Sequence, residues 1–472
     1  MTHRDNFASL STGADYAELA GRFRPLFTRI AEGALERERS RTLPSEPIKW
    51  LKEAGFGAVR VPVEHGGAGA SLPQLVRLLT ELAAADSNLP QALRGHFAFV
   101  EDRLNAAADA RQDVWFKRFV AGEIVGNAWT EVGEVKIGDV ITKVSRKGDK
   151  WVVNGAKFYS TGSIFADWID VYARRSDDNA DVIAAVRVDQ PGVRQQDDWD
   201  GFGQRTTGSG TSTFEDALVE PENIIDFSTR FKYQTAFYQL VHLATLAGIG
   251  RAVERDVAQQ VAARRRIFSH GNAPLVRNDP QIQQVVGEIA ARAYAAEAIA
   301  IRAAEPAQRA YEARFVPDAA AERAANIDAE IESAKGQIVV AGLVLGAATD
   351  LFDTLGASSA REGPALDRHW RNARTVATHN PTVYKARIVG DWAINGTEPP
   401  YVWQIGGSPA SSAAVRPMVR PWSPIWVVAA IATSSTRSGG RDGLRRSSSR
   451  MLLMTRSSAR VSAYWPLNTA GM

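Results

Sequence analysis

The sequence predicts an α+β protein in which a helical region, a strand-rich region and a second helical region follow one another. Apolar residues recur at helical spacing in the first quarter of the chain, alternate in the next, and return to helical spacing after it. With 472 residues, 45% of them hydrophobic, the chain is long enough for several domains. We therefore expect domains at 1–124, 125–230 and 231–406, followed by a tail at 407–472.

The N-terminal helical region is clearest in the segment 72–85. Its leucines fall on one stripe, as in an amphipathic helix. The stripe consists of Leu75, Leu78, Leu79 and Leu82. The glycine-rich stretch 64–69 separates helices and is not a phosphate loop, because no Lys followed by Ser or Thr comes after it.

The central region contains short runs that are typical of strands. They lie at 140–144, 150–155, 168–173, 182–188 and 211–214. Short strands separated by turns predict a small antiparallel barrel or sandwich. No G-x-G-x-x-G motif follows a strand, which argues against a dinucleotide-binding Rossmann domain.

The C-terminal region predicts a bundle of helices. The candidate helices are 237–264, 280–304, 319–355 and 384–394. The third has apolar residues spaced for a buried position in such a bundle.

Charge is divided unevenly between the body of the chain and its tail. The tail has nine Arg, no Lys and the single acidic residue Asp442, a charge of +8, whereas the remainder has 47 basic and 52 acidic residues, a charge of −5. An acidic body argues against nucleic-acid binding. The Ser- and Arg-rich tail shows no sustained period, so we expect a disordered or frame-shifted extension.

Other features of composition exclude several classes of protein. The chain has no cysteine, which excludes disulfides, thiolate metal sites and a cysteine nucleophile, and we expect no metal site. Its longest apolar run, 425–432, is shorter than the ~20 residues of a membrane helix. The first ten residues contain no apolar run of a secretory signal. We expect a cytoplasmic protein without membrane contact.

Four segments resemble the acyl-CoA dehydrogenase superfamily, and the likeness covers about residues 15 to 405. These segments are Asn127–Glu131, Asn154–Gly162, Gly201–Thr211 and Arg371–Arg374. Two more, 83–97 and 198–203, resemble its flavin-dependent monooxygenase branch, which includes dibenzothiophene monooxygenases and sulfur-acquisition oxidoreductases. The resemblance implies an N-terminal α-helical domain, a central β-barrel and a C-terminal four-helix bundle, assembled as a homotetramer.

The position of the dehydrogenase base distinguishes the two activities. Dehydrogenases of this family commonly have a glutamate where this chain has Asn380, and an amide cannot accept the substrate proton. The monooxygenase branch instead has a histidine directly before an Asp-Pro or Asn-Pro pair, and here that residue is His379. The resemblance therefore favours a monooxygenase.

The expected activity is that of a reduced-flavin-dependent monooxygenase. Such an enzyme uses O2 to form a C4a-hydroperoxide and oxygenates a small substrate, here an organosulfur compound. The chain has no obvious nicotinamide site, so a separate NADH:flavin reductase must supply reduced flavin. In dehydrogenases of this family a glycine-rich loop holds the adenine half of FAD. The matching loop 355–359 has fewer glycines, so the resemblance favours FMN over FAD. The alternatives are an FAD-dependent acyl-CoA dehydrogenase, a flavin-dependent N-hydroxylase, and a catalytically inactive flavoprotein or basic-tail binding protein.

Four residues are the catalytic candidates. His379 is the first and His96 the second, because a histidine with a reference pKa of ~6.5 suits proton transfer; His96 is equally well explained as a packed histidine. Asn127 and Thr161 match positions that can hydrogen-bond flavin or peroxide, although such residues also favour turns.

Five residues are the flavin-binding candidates by the same resemblance. Ser160 matches a hydroxyl near flavin N5, and Trp129 and Thr130 match positions around the isoalloxazine ring. An arginine after the helix 237–264 is expected to reach the flavin phosphate, often across a subunit interface. Either Arg265 or Arg266 fits that role, since a guanidinium suits a phosphate.

Overall fold

The order of helical, strand-rich and helical regions is confirmed by the computed structural model. It describes residues 15–106, 108–133, 135–136 and 138–402. The tail 407–472 and the prediction of its disorder or frame shift lie outside these residues.

Six α-helices lie in the described part of the N-terminal domain. They are α1 (Tyr16–Ser40), α2 (Ser45–Glu53), α3 (Leu72–Ala85), α4 (Asn88–Ala92), α5 (Arg94–Asn105) and α6 (Ala110–Val120). Helix α3 begins at a capping box, in which Ser71 and Gln74 bond each other's backbone N–H. All four leucines of its predicted stripe are at most 2% exposed.

Nine strands follow. They are β1 (Val125–Ala128), β2 (Thr130–Glu131), β3 (Lys143–Lys147), β4 (Lys150–Phe158), β5 (Trp168–Arg175), β6 (Asp181–Arg187), β7 (Val193–Gln195), β8 (Ser212–Val219) and β9 (Ile224–Asp226). They form one sheet in the order β7-β8-β4-β3-β5-β6-β9, with β1 on β5 and β2 on β4.

The expectation of a small antiparallel barrel or sandwich is corrected only in the direction of its strands, because the curled sheet is mixed. Strands β1 and β3 each pair with β5 in parallel. Strands β6 and β8 contact each other although they are not neighbours in the sheet, so the sheet bends around a core of its own. Local alternation predicts strands but not the direction of their distant partners, which explains the error.

Five helices complete the described chain. They are α7 (Gln234–Ala263), α8 (Pro280–Ala313), α9 (Ala319–Leu355), α10 (Asp367–Thr378) and α11 (Thr382–Asn395). The bounds predicted for α9 are confirmed, since Asp318 caps its start and Gly356 follows its end with φ of 64°. Helix α10 lay outside the predicted helices.

Helix α9 is long and apolar enough to cross a membrane by length and composition. It packs against α7, α8, α10 and α11, and residues such as Val340, Val344 and Leu351 are buried there. Its apolar character therefore matches the core of the helical bundle.

The two helical domains share one hydrophobic core, while the sheet has a second core. Helices α3 and α7 approach closely at Gly248, where a Cβ atom would lie 2.5 Å from the carbonyl oxygen of Thr80. A fully buried ion pair strengthens the junction: Arg60 donates to Glu101, which also accepts from the Tyr233 hydroxyl at 2.5 Å. The N-terminal helices are thereby fixed against the start of α7.

Candidate functional site

Three of the predicted site residues, Asn127, Ser160 and Thr161, lie where the sheet touches α4 and α5. A Cβ at Gly162, which has φ of +77°, would lie 1.9 Å from the carbonyl oxygen of Ala92. A Cβ at Gly95 would lie 2.8 Å from Oδ1 of Asn127. Only glycine permits these two approaches, which bring strand β1 and the loop after β4 to the helices.

Strand β1 contains Asn127, and Trp129 follows its last residue. Asn127 is 6% exposed, and its Oδ1 is buried without a hydrogen-bond partner. The indole N–H of Trp129 donates to Asp170 at 2.8 Å, and its ring packs edge-on against Tyr238 of α7. Thr130 is half-buried and pairs with Phe158 in the sheet. Asn127 therefore offers a free acceptor beside an oriented aromatic ring.

The loop after β4 contributes Ser160 and Thr161, which are both buried. The Thr161 hydroxyl lies 2.9 Å from that of Ser209, which lies 2.6 Å from that of Thr207. We call these three groups the hydroxyl chain. Sequence reasoning missed Ser209 and Thr207 as site residues, although both belong to the Gly201–Thr211 segment. Ser160 itself bonds the carbonyl of Lys157 at 3.4 Å.

His379 follows the last residue of α10. The residue is exposed, although the atoms packed around its ring remove much of the ring's hydration. Loss of hydration lowers the pKa of His379 to about 3, and the positive charge of Arg94 acts in the same direction. The imidazole is therefore neutral near pH 7, which corrects the premise that its pKa lies close to working pH.

His379 has a histidine neighbour that sequence reasoning treated as structural or exposed. The ring of His242, on α7, lies 4.4 Å from that of His379 between centroids. His242 is 1% exposed, and its Nε2 is buried without a partner. Burial, and then the nearby His379 and Arg94, lower the pKa of His242 well below its usual value. A neutral histidine pair thus lies in the helical wall of the site.

Asn380 occupies the position of the dehydrogenase base. Its side-chain Nδ2 donates to Oε1 of Gln239 at 3.1 Å. Its backbone carbonyl oxygen accepts from Nε2 of Gln337 at 2.5 Å. Its Oδ1 lies 3.3 Å from Nδ1 of His379. These bonds orient His379. The position itself carries an amide and not a carboxylate.

His96 is held entirely by backbone groups. Its Nε2 lies 2.9 Å from the carbonyl oxygen of Gly57, and its Nδ1 accepts from the N–H of Val125 at 3.2 Å. The side chain is 0% exposed, and burial lowers the pKa of His96 to about 4. The geometry corresponds to the packed alternative, because neither ring nitrogen is free for substrate.

Arg265 and Arg266 do not join the group within one chain. Both follow the end of α7 and are exposed. Their neighbour Arg264 turns back and bonds the Ser358 hydroxyl at 3.1 Å, near the end of α9.

A cleft of about 590 Å³ lies between α1, α3, α7 and α10. It is lined by residues such as Asn88, Asp256 and Asn372, but by none of the four catalytic candidates. Asp256 there is already paired with Arg368 and His369. Buried polar atoms without hydrogen-bond partners lie instead on Asn127, Arg94 and His242, and the ring of His242 packs beside that of His379.

Comparison with known families gives matches to three domains of one family. The acyl-CoA dehydrogenase N-terminal domain matches residues 23–123, its middle domain residues 128–217, and its C-terminal domain residues 240–383. Along this chain the matches come in the order N-terminal, middle and C-terminal domain.

Two curated relatives are similar over most of their length. Dibenzothiophene monooxygenase of Rhodococcus erythropolis is 24% identical over 391 residues, covering 78% of this chain and 90% of the relative. A probable FMNH2-dependent monooxygenase, SfnC of Pseudomonas putida, is 26% identical over 393 residues, covering 81% and 94%. Among solved structures, FMN-bound TdsC from Paenibacillus sp. A11-2 superposes with a TM-score of 0.74 at 27% identity, covering 80% and 98%.

Proposed function

The chain belongs to the acyl-CoA dehydrogenase family, and from this we propose that it is a flavin-dependent monooxygenase. It uses reduced FMN and O2 to oxygenate a small organosulfur substrate. The observation that carries the proposal is the replaced base: the side-chain amide of Asn380 donates to Gln239, its backbone carbonyl accepts from Gln337, and His379 lies directly beside it. Removal of a substrate α-proton would lack its usual carboxylate.

The relatives favour the same activity over the dehydrogenase and N-hydroxylase alternatives. Dibenzothiophene monooxygenase and SfnC are both named as monooxygenases, and SfnC is named as FMNH2-dependent. The solved structure of TdsC contains FMN. The cofactor of this chain is therefore reduced FMN rather than FAD.

The residues of the site fit an isoalloxazine ring, which presents both N–H donors and carbonyl acceptors. The buried, unpartnered Oδ1 of Asn127 can accept from such an N–H, and Ser160 and Thr161 can donate hydroxyls. Reduced FMN, when bound, supplies the electrons that activate O2. We assign Trp129 and Thr130 to the wall around the ring.

The protein's own contribution is hydrogen bonding and exclusion of water. His379 is neutral, so it donates or accepts a hydrogen bond at the cleft and can take up a proton when negative charge develops nearby. The hydroxyl chain, which includes Thr161, holds neutral donors in place on the side of the sheet. Trp129 packed on Tyr238 keeps water from that side.

We also propose a partner enzyme, a cellular location and an oligomeric state. A separate NADH:flavin reductase supplies reduced FMN, and the enzyme works in the cytoplasm as a homotetramer. The exposure of Arg265 and Arg266 supports a role at the FMN phosphate of a neighbouring subunit, since neither approaches the site of its own chain.

Oxygen-isotope labelling tests the proposal. The full chain is mixed with FMN, a flavin reductase, NADH and an organosulfur substrate under ¹⁸O2, and we expect one labelled oxygen in the product. Omission of the reductase should abolish the product. Anaerobic oxidation of an acyl-CoA with an artificial electron acceptor would instead establish the dehydrogenase alternative.

A further inference from the structure

Arg94, the first residue of α5, is a buried cation without a counter-ion. It is 6% exposed, and its Nε is buried without a hydrogen-bond partner. Among the residues that the structure describes, no carboxylate forms an ion pair with it. Arg60 and Arg230, which are also buried, are paired with Glu101 and Asp170 at 2.8 and 3.1 Å.

Arg94 lies in the helical wall of the proposed site. Its guanidinium lies 5.0 Å from the centre of the Tyr238 ring, and its charge lowers the pKa of both His242 and His379. The adjacent Gly95 touches Asn127 of the sheet. Arg94 therefore lies near the His242–His379 pair and beside the contact between α5 and the sheet.

The titratable groups near Arg94 do not neutralise its positive charge. His242 and His379 are neutral near pH 7 because their pKa values lie far below it. Farther along, Glu330 and Lys385 are both buried and interact with each other, so together they add little net charge. A buried guanidinium is costly unless an anion pairs with it. An anion from outside the chain would supply that partner.

We propose that Arg94 binds the oxyanion group of the substrate, so that the substrate is an organosulfur anion rather than a neutral aromatic sulfide. Arginine suits this role, since its planar fork matches an oxyanion with two parallel hydrogen bonds. The unpartnered Nε2 of His242 provides a second hydrogen-bonding group beside it. This inference rests on the proposed monooxygenase activity and specifies its substrate class.

A sulfinate is the simplest substrate that combines a negative oxyanion with an oxidisable sulfur lone pair. In the reaction one atom of O2 forms a new S–O bond, the O–O bond breaks, and the second oxygen leaves as water. Reduced FMN is oxidised and supplies two electrons and two protons. The products are a sulfonate, FMN and H2O.

Binding of a non-oxidisable probe tests the inference on the FMN-loaded, full-length protein. Methanesulfonate and its neutral isostere dimethyl sulfone are titrated by calorimetry. Methanesulfonate should bind the wild type more tightly by at least roughly 10-fold. Arg94→Gln should weaken methanesulfonate binding by roughly 10- to 100-fold, as for a lost charge-assisted hydrogen bond, and leave dimethyl sulfone unaffected. Arg94→Lys should lose less methanesulfonate affinity than Arg94→Gln.

Arg118→Gln is the matched control. Arg118 also stacks on aromatic rings, those of Trp115 and Trp168, and it lies on α6 away from the cleft. Its replacement should leave both titrations unchanged. If Arg94→Gln does not fold, the preference of the wild type for methanesulfonate over dimethyl sulfone still decides the question.

The outcomes separate this inference from the proposed function. Equal or tighter binding of dimethyl sulfone by the wild type would overturn the anion site even if a neutral sulfide is oxygenated. A loss of FMN affinity in Arg94→Gln, with methanesulfonate binding unchanged, would assign Arg94 to the flavin and also overturn it. Selective methanesulfonate binding without any oxygen transfer would support the anion site while refuting the monooxygenase.

Discussion

Replacement of His379 by alanine should uncouple flavin oxidation from oxygenation. Because the pKa of His379 is about 3, only about one ring in 10⁴ carries a proton at pH 7. Neutral His379 therefore does not serve as a general acid at pH 7, and its ring acts through a hydrogen bond. Such a bond contributes about 1–3 kcal/mol when charge develops, which corresponds to a loss of oxygen transfer of about 5- to 150-fold.

Product and H2O2 are quantified together after reduced, FMN-loaded protein is mixed with O2. His379→Ala should retain FMN binding, consume reduced FMN and release mostly H2O2. His379→Asn, which keeps a hydrogen-bonding amide, should retain more coupling. His65→Ala is the control, since that histidine packs on Phe116 outside the site.

Two results would refute this reasoning. Full coupling in folded His379→Ala would remove His379 from the reaction. A wild-type profile with an ionisation near pH 6.5 that disappears in the variant would show that the ring is not held neutral. We expect instead a His379 contribution that is constant between pH 6 and 8.

Three further variants test the surroundings of the site. His96→Gln should lower the unfolding free energy by about 1–3 kcal/mol but preserve coupling. Because the folded pKa of His96, about 4, lies below its unfolded value, this histidine should remove up to ~3 kcal/mol of wild-type stability as pH drops from 6.5 to 4, and denaturant titrations of the variant should show a correspondingly shallower slope. Gly95→Ala should displace Asn127 and weaken FMN binding, measured by flavin fluorescence, whereas Gly287→Ala, with nothing within 4 Å, should not. Ser209→Ala should interrupt the hydroxyl chain and reduce the ratio of product to H2O2 several-fold, and unchanged coupling would exclude that role.

The fold was predictable where signals are local. The helix 319–355 has periodic apolar residues between an aspartate cap and a glycine, so its bounds followed from the sequence. The helix 367–378 was missed because its sequence is mostly polar, and only packing against α7 and α9 shows why it forms. The parallel pairing of β1 with β5 joins residues about 40 positions apart, which local alternation cannot indicate.

The site was predictable only in part, for a similar reason. His379 stood out because an Asn-Pro pair follows it. His242 lies in a helix that is apolar on most faces, so no pattern distinguished it from core residues. Arg94 is unusual through the absence of a nearby carboxylate among the described residues, and that depends on the whole fold. The close contact of His96 with the Gly57 carbonyl likewise depends on tertiary structure.

The shared core of the two helical domains has a consequence for synthesis of the chain. The leucine stripe of α3 is covered by α7, which ends 178 residues after α3. At ~5–20 residues per second, the ribosome needs roughly 10–35 s to deliver that partner. During this interval α1 can pack against α3, but the part of the leucine stripe that α7 covers stays open. We therefore expect the nascent N-terminal helices to depend on a chaperone until α7 has emerged.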